Sequence, residues 1–117
     1  MDLEPKELTK IIVNVLEEHK AQDINILEVS ELTVLGDYFV LASGTSTTHV
    51  KSLADAVEKR LNELEIKRNG VEGRGSASWI LMDYGNVIVH VFHKETRAFY
   101  NLERLWGDGI QLQPNDL

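Results

Sequence analysis

The segment Ser43-Gly44-Thr45-Ser46-Thr47-Thr48-His49 sets a glycine among hydroxyl side chains, between an apolar run and a stretch with helical spacing. Such a strand-to-helix turn can cradle a phosphate, because the free N–H groups at a helix N-terminus attract anions. The same residues have a simpler use. Ser46 or Thr47 can cap the following helix, which is worth about 1 kcal/mol. No G-x-x-x-x-G-K-[ST] pattern is present, so the backbone cradle and lysine of a P-loop are missing. Capping is the favoured reading; a nucleotide-binding enzyme using Ser43–Thr48 is the alternative.

Phosphoryl or nucleotidyl transfer also needs a metal held by converging carboxylates. The spaced acid pairs are Asp2-x-Glu4 near the start and Glu63-x-Glu65 in a helical stretch. Residues two apart on a helix diverge, so Glu63 and Glu65 cannot chelate one ion. His90 and His93 invite a metal reading, but residues three apart on a strand face opposite sides. His90 reads instead as a hydrogen-bonded strand residue. No serine–histidine–acid set has the spacing of a nucleophile elbow. The expectation is a protein without catalytic residues, metal or cofactor, and so not an enzyme.

The elements that must position these residues follow from periodicity. Leu8, Ile11, Ile12, Val15 and Leu16 fall on one helical face, and Pro5 suits a first turn, so a helix is expected over 5–20. Asp23–Val29 reads as a strand, and Gly36–Asp37 as a turn. Tyr38–Ser43 is apolar at nearly every position, as a strand covered on both faces would be. Val50, Leu53, Ala54, Val57, Leu61 and Leu64 trace a second helix over 47–67, with Lys67 and Arg68 in its last turn and Asn69–Gly70 closing it. The three glycines of Asn69–Ser78 predict a mobile loop. Two strands flank Tyr84–Gly85–Asn86 as a hairpin. Ala98, Phe99, Leu102 and Leu105 place a short final helix before Gly107, and the tail 108–117 is expected to be disordered. The order α-β-β-α-β-β-α makes an α/β fold, a small single-domain sandwich with a mixed sheet over residues 1–117.

Within the hairpin, Tyr84, Met82 and Ile80 should pair with Val87, Val89 and Val91, forming an aliphatic face for the helices. The other face carries Trp79, Leu81 and Asp83 beside Ile88, His90 and Phe92. Aromatics beside an acid and a histidine suit a partner interface better than a solvated face. Trp106, with Tyr100 and Arg104, is a second candidate anchor.

The net charge of −7 is uneven: residues 1–37 hold nine acids against three bases. That balance argues against gripping a nucleic-acid backbone and for a basic protein partner. Lys59, Arg60, Lys67, Arg68 and Arg74 are either a solvated helix face or the residues that could make secondary contacts to RNA in a larger complex. The absence of cysteine fits a reducing compartment. No apolar run is long enough to span a bilayer and no leader is visible, so a soluble cytoplasmic protein with no membrane contact is expected.

Two blocks, "DYFVLASGTSTTHVKSLADAVE" and "WILMDYGNVIVHVFHKETRAFYNLERLW", together resemble the ribosomal silencing factor family, also called Iojap-like proteins, across residues 5–106. The resemblance implies a fold like a degenerate nucleotidyltransferase. It also implies a non-enzymatic repressor that binds the large ribosomal subunit through its fourteenth protein, which is small and basic. That binding would block joining of the small subunit and lower translation when nutrients are scarce. It further implies homodimers when free, in which a dimer could shield the ribosome-binding surface. An assembly factor for the large subunit would use the same site. The family's interaction block falls on Trp79, Ile80, Leu81, Met82, Asp83 and Tyr84, with Glu103–Trp106 nearby. Trp79, Leu81, Met82, Asp83, Tyr84, His90, Tyr100, Leu105 and Trp106 are therefore the expected partner-binding residues.

Overall fold

A computed structural model of the chain describes residues 4–29, 37–96 and 110–112. The elements are α1 (Pro5–Glu18), β1 (Gln22–Glu28), β2 (Tyr38–Gly44), α2 (Thr47–Glu63), β3 (Gly70–Glu72), β4 (Trp79–Asp83), β5 (Val87–His93) and β6 (Ile110–Leu112). The strands form one sheet in the order β3-β4-β5-β2-β1-β6. The β2–β5 pair is parallel and its neighbours are antiparallel, so the α/β fold with a mixed sheet stands.

The sheet's two faces have different cover. On one side α1 and α2 bring Leu8, Ile12, Leu16, Val50, Leu53, Val57 and Leu61 against Ile26, Val40, Ile80, Met82, Val89 and Val91. On the other, Leu27, Val29, Phe39, Leu41, Ile88 and Phe92 form a second cluster, with Trp79 and Leu81 packed against it. The central strands β2 and β5 contribute to both clusters, which is why they read as continuous apolar runs.

Both helices end without glycine. In α1, Lys20 N–H donates to the Glu17 carbonyl and Ala21 N–H to Leu16, at 3.1 and 2.9 Å. In α2, Glu65 N–H donates to Asn62 and Ile66 N–H to Leu61, at 3.0 and 2.8 Å. These are Schellman closures, and they place Lys20 and Glu65 in the left-handed region at φ 65° and 61°. The second helix therefore stops at Glu63 rather than 67, and Lys67 and Arg68 lie beyond its last turn.

The segment expected to be a mobile loop, Asn69–Ser78, opens with a strand. Gly70, Val71 and Glu72 pair with Asp83, Met82 and Leu81, and Asn69 N–H donates to the Asp83 carbonyl at 2.6 Å. Gly73 then turns the chain at φ 87°, where a side chain would fall on the Trp79 carbonyl oxygen. The tail, expected to be disordered, supplies β6, which pairs with β1. Residues 94–96 are helical, whereas the helix expected around 98–105 lies outside the described residues. Among those described, no helix is long and apolar enough to cross a membrane.

Glu65→Gly should stabilise the protein by roughly 0.5–1 kcal/mol, because glycine occupies the left-handed region without steric penalty. The check is a higher urea midpoint at unchanged slope.

Candidate functional site

At the hydroxyl-rich turn the structure shows a cap. Ser46 is extended, at φ −152°, and its side chain accepts the His49 N–H at 3.0 Å. The His49 ring folds back so that Nδ1 accepts the Thr45 N–H at 3.0 Å. With Nδ1 accepting, Nε2 carries the proton and donates to the His19 carbonyl, also at 3.0 Å. The N–H groups of Thr45 and His49 are thus engaged within the chain, and one imidazole ties the start of α2 to the end of α1. Among the described residues no three histidine, aspartate or glutamate side chains converge to hold a metal.

The β4–β5 hairpin has the register expected from its turn. Trp79 faces Phe92, Leu81 faces His90 and Asp83 faces Ile88, while Ile80 and Met82 face Val91 and Val89. Burial alternates accordingly: Trp79, Leu81 and Asp83 are half-buried, and Ile80 and Met82 are fully buried. Met82 and Tyr84 belong to the helix-side core. A partner cannot touch them without opening that core, so their expected place in the interface is corrected. Their signal came from the resemblance to a contiguous family block, whereas strand alternation puts every second residue out of reach. The Tyr84 hydroxyl has no hydrogen-bond partner among the described residues. Burial first, and Glu58 second, push its pKa up to about 12.

His90 is also buried, at 4% exposure, so it does not meet a partner directly. It lies between rings: Phe39 at 5.1 Å and Phe92 at 6.1 Å between centroids. Its Nδ1 accepts the Trp79 indole N–H at 3.1 Å, which puts the ring proton on Nε2. Nε2 has no hydrogen-bond partner among the described residues. Burial pulls the His90 pKa down from 6.5 to about 4, so the ring is neutral at ordinary pH. The Trp79 indole stacks on Phe92 at 5.0 Å and 26° between planes.

Asp83 has a structural task besides its charge. Its Oδ1 accepts the Gly85 N–H at 2.8 Å, bracing a turn in which Gly85 sits at φ 85°. Glu72, which the sequence reading passed over because it lay in the presumed loop, faces Leu81 across the β3–β4 pair and is exposed. Paired residues share a sheet face, so Glu72 and Asp83 flank Leu81 on the side where Trp79 lies. A three-residue strand between glycines carries too little alternation to reveal this. Tyr100, Leu105 and Trp106 lie outside the described residues.

Basic residues proposed for RNA are partly engaged inside the chain. Arg68 pairs with Glu58 at 2.6 Å, Arg74 with Glu58 at 2.8 Å and with Asp55, and Arg60 with Glu63 at 3.9 Å. The Arg68 and Arg74 pairs fasten the chain around β3 to α2, whereas the Arg60–Glu63 pair lies within α2. Lys59 and Lys67 are exposed.

The family model described as "Ribosomal silencing factor during starvation" matches residues 2–117. The "Ribosomal silencing factor RsfS" of Halalkalibacterium halodurans is 39% identical over 88% of this chain and 88% of its own. A mouse protein named "Mitochondrial assembly of ribosomal large subunit protein 1" is 32% identical over 82% of this chain but 43% of its own length. A crystal structure of a Chromobacterium violaceum protein superposes with a TM-score of 0.87 at 39% identity, covering 90% of this chain and 88% of that one.

His90 binds a proton near pH 6.5 in the unfolded chain but only near 4 when folded. The unfolded state therefore holds more protons between those values, and stability falls as pH drops through the window. The loss should approach roughly 3 kcal/mol below the folded pKa, at about 1.4 kcal/mol per unit. Urea titrations from pH 7 to 4 should show this acid dependence shrink in His90→Gln.

Proposed function

The chain belongs to the ribosomal silencing factor family, and on that premise we propose that it represses translation by binding the large ribosomal subunit and sterically blocking the small one. The action is occupancy, without catalysis or cofactor, in the cytoplasm under nutrient limitation. The contact on the ribosome is the small basic fourteenth protein of the large subunit.

The observation that carries this reading is the half-buried row Trp79, Leu81 and Asp83 at one side of the sheet, with exposed Glu72 beside Leu81. An apolar anchor flanked by carboxylates matches a basic partner. The aromatic and aliphatic groups supply desolvated contact, while the acids orient the encounter. The formal charge of −7 acts in the same direction over longer range. The phosphate-loop alternative loses support from the cap, since the turn's Thr45 and His49 N–H groups already have partners. Exposed Lys59 and Lys67 are better placed than the paired arginines for secondary contacts to ribosomal RNA. When free, the protein pairs as a homodimer, which could shield the ribosome-binding row.

A role in assembling the large subunit is the second reading, supported by the name of the mouse relative. Both readings use one surface, so they separate only by outcome. Purified large subunits are incubated with the protein, small subunits are added, and the mixture is sedimented. Co-sedimentation with fewer joined ribosomes supports repression; binding with normal joining supports assembly; no binding overturns both.

Trp79→Ala should weaken binding to large subunits about thirtyfold, the scale of a hot-spot residue. Asp83→Asn keeps an acceptor for the Gly85 N–H and removes only the charge. It should leave the urea midpoint nearly unchanged while weakening binding about tenfold or more. Wild-type affinity in both variants would place the interface elsewhere.

A further inference from the structure

A histidine buried among Phe39, Phe92, Leu41 and Leu81 is out of place by packing alone. No charged group is among these neighbours, and its Nε2–H has no partner among the described residues. A leucine or phenylalanine would fill the space without burying an unsatisfied donor. What the imidazole provides, and a hydrocarbon cannot, is an acceptor at Nδ1 for the Trp79 indole N–H, at 3.1 Å.

The geometry points to His90 as a positioning residue: by accepting the Trp79 indole N–H hydrogen bond on the same face of the sheet, it holds that indole in the single orientation in which a partner meets it. This rests on the reading of Trp79 as a partner anchor.

The arrangement restrains the indole from two directions. Phe92 stacks on its plane at 5.0 Å and 26°, which permits the ring to slide and turn within the stack. The hydrogen bond to His90 adds a restraint of a different kind, because it is directional and aimed at one atom. At the Trp79 backbone, Gly73 passes so close that a side chain there would fall on the Trp79 carbonyl oxygen. An anchor frozen before encounter loses less rotamer entropy on binding, so His90 acts on affinity without touching the partner. The two nitrogens divide the work: Nδ1 serves Trp79, and Nε2–H is left buried as the consequence of that tautomer.

The test is in two parts, on the full chain. The first needs no partner. In nitrogen-15-labelled wild-type protein, the Trp79 indole signal is identified by its loss in Trp79→Phe, and a through-bond coupling from Trp79 Nε1 to His90 Nδ1 is sought. Such coupling, with slow solvent exchange of the indole proton, is expected. Its absence, with fast exchange, overturns the positioning claim in the native protein whatever any variant does.

The second part compares affinity for large subunits. His90→Gln, which keeps an acceptor oxygen, should stay within about threefold of wild type, whereas His90→Phe and His90→Leu should each lose about tenfold while remaining folded by urea titration. Equal affinity in all three variants overturns the claim. So does an equal loss in all three. If Trp79→Ala also binds like wild type, the partner-binding reading of this face fails, and the nitrogen coupling still decides whether His90 orients the indole.

Discussion

The register of the β4–β5 hairpin is the constraint on which the rest of the molecule depends. Pairing Met82 with Val89 and Leu81 with His90 sends alternate residues to opposite sides of the sheet. A slip of one residue would expose Ile80 and Met82 and thrust Asp83 toward the helices. The turn guards against that slip through Gly85 at positive φ, the Asp83 carboxylate on the Gly85 N–H, and the Tyr84 N–H on the Val87 carbonyl at 3.0 Å. The two separate clusters of buried side chains are the result of this one choice, repeated through β5 into β2 and β1.

The helices then solve a simpler problem, covering one face. Their placement is fixed by the joint around His49 as well as by apolar contact. That ring bonds to the strand-to-helix turn through one nitrogen and to the end of α1 through the other, while Ser46 completes the N-terminus of α2. A segment with the composition of an anion cradle is here a fastening between two helices.

Much of this was legible in the sequence because it follows short-range periodicity. The stripe from Leu8 to Leu16, the apolar run of β2, the Ser46 cap and the division of the hairpin into two faces all follow from spacing and residue type. The misses in the elements share a cause, which is that tertiary contact overrode a local signal. Gly70–Glu72 looked like a loop because its pairing is supplied by β4 and its continuation by Gly73. The end of α2 was placed too late because Glu65 takes the conformation normally left to glycine. Met82 and Tyr84 entered the site through a contiguous block, although alternation already turned them inward. His90 was legible as a hydrogen-bonded strand residue, but nothing in its neighbours' spacing announces that its partner is the indole of Trp79.

One edge of the sheet has a further consequence. The outer strand β3 is only three residues long, and Gly73 after it is forced out of extended geometry. A sheet edge this brief offers only a few unpaired backbone groups, too few to template a growing ladder with another chain. The half-buried Trp79 and Leu81 of β4 thus lie next to an edge that is poor at recruiting further strands. At the β3 edge, a side-chain anchor on the sheet does not bring with it a backbone ladder open to other copies of the chain.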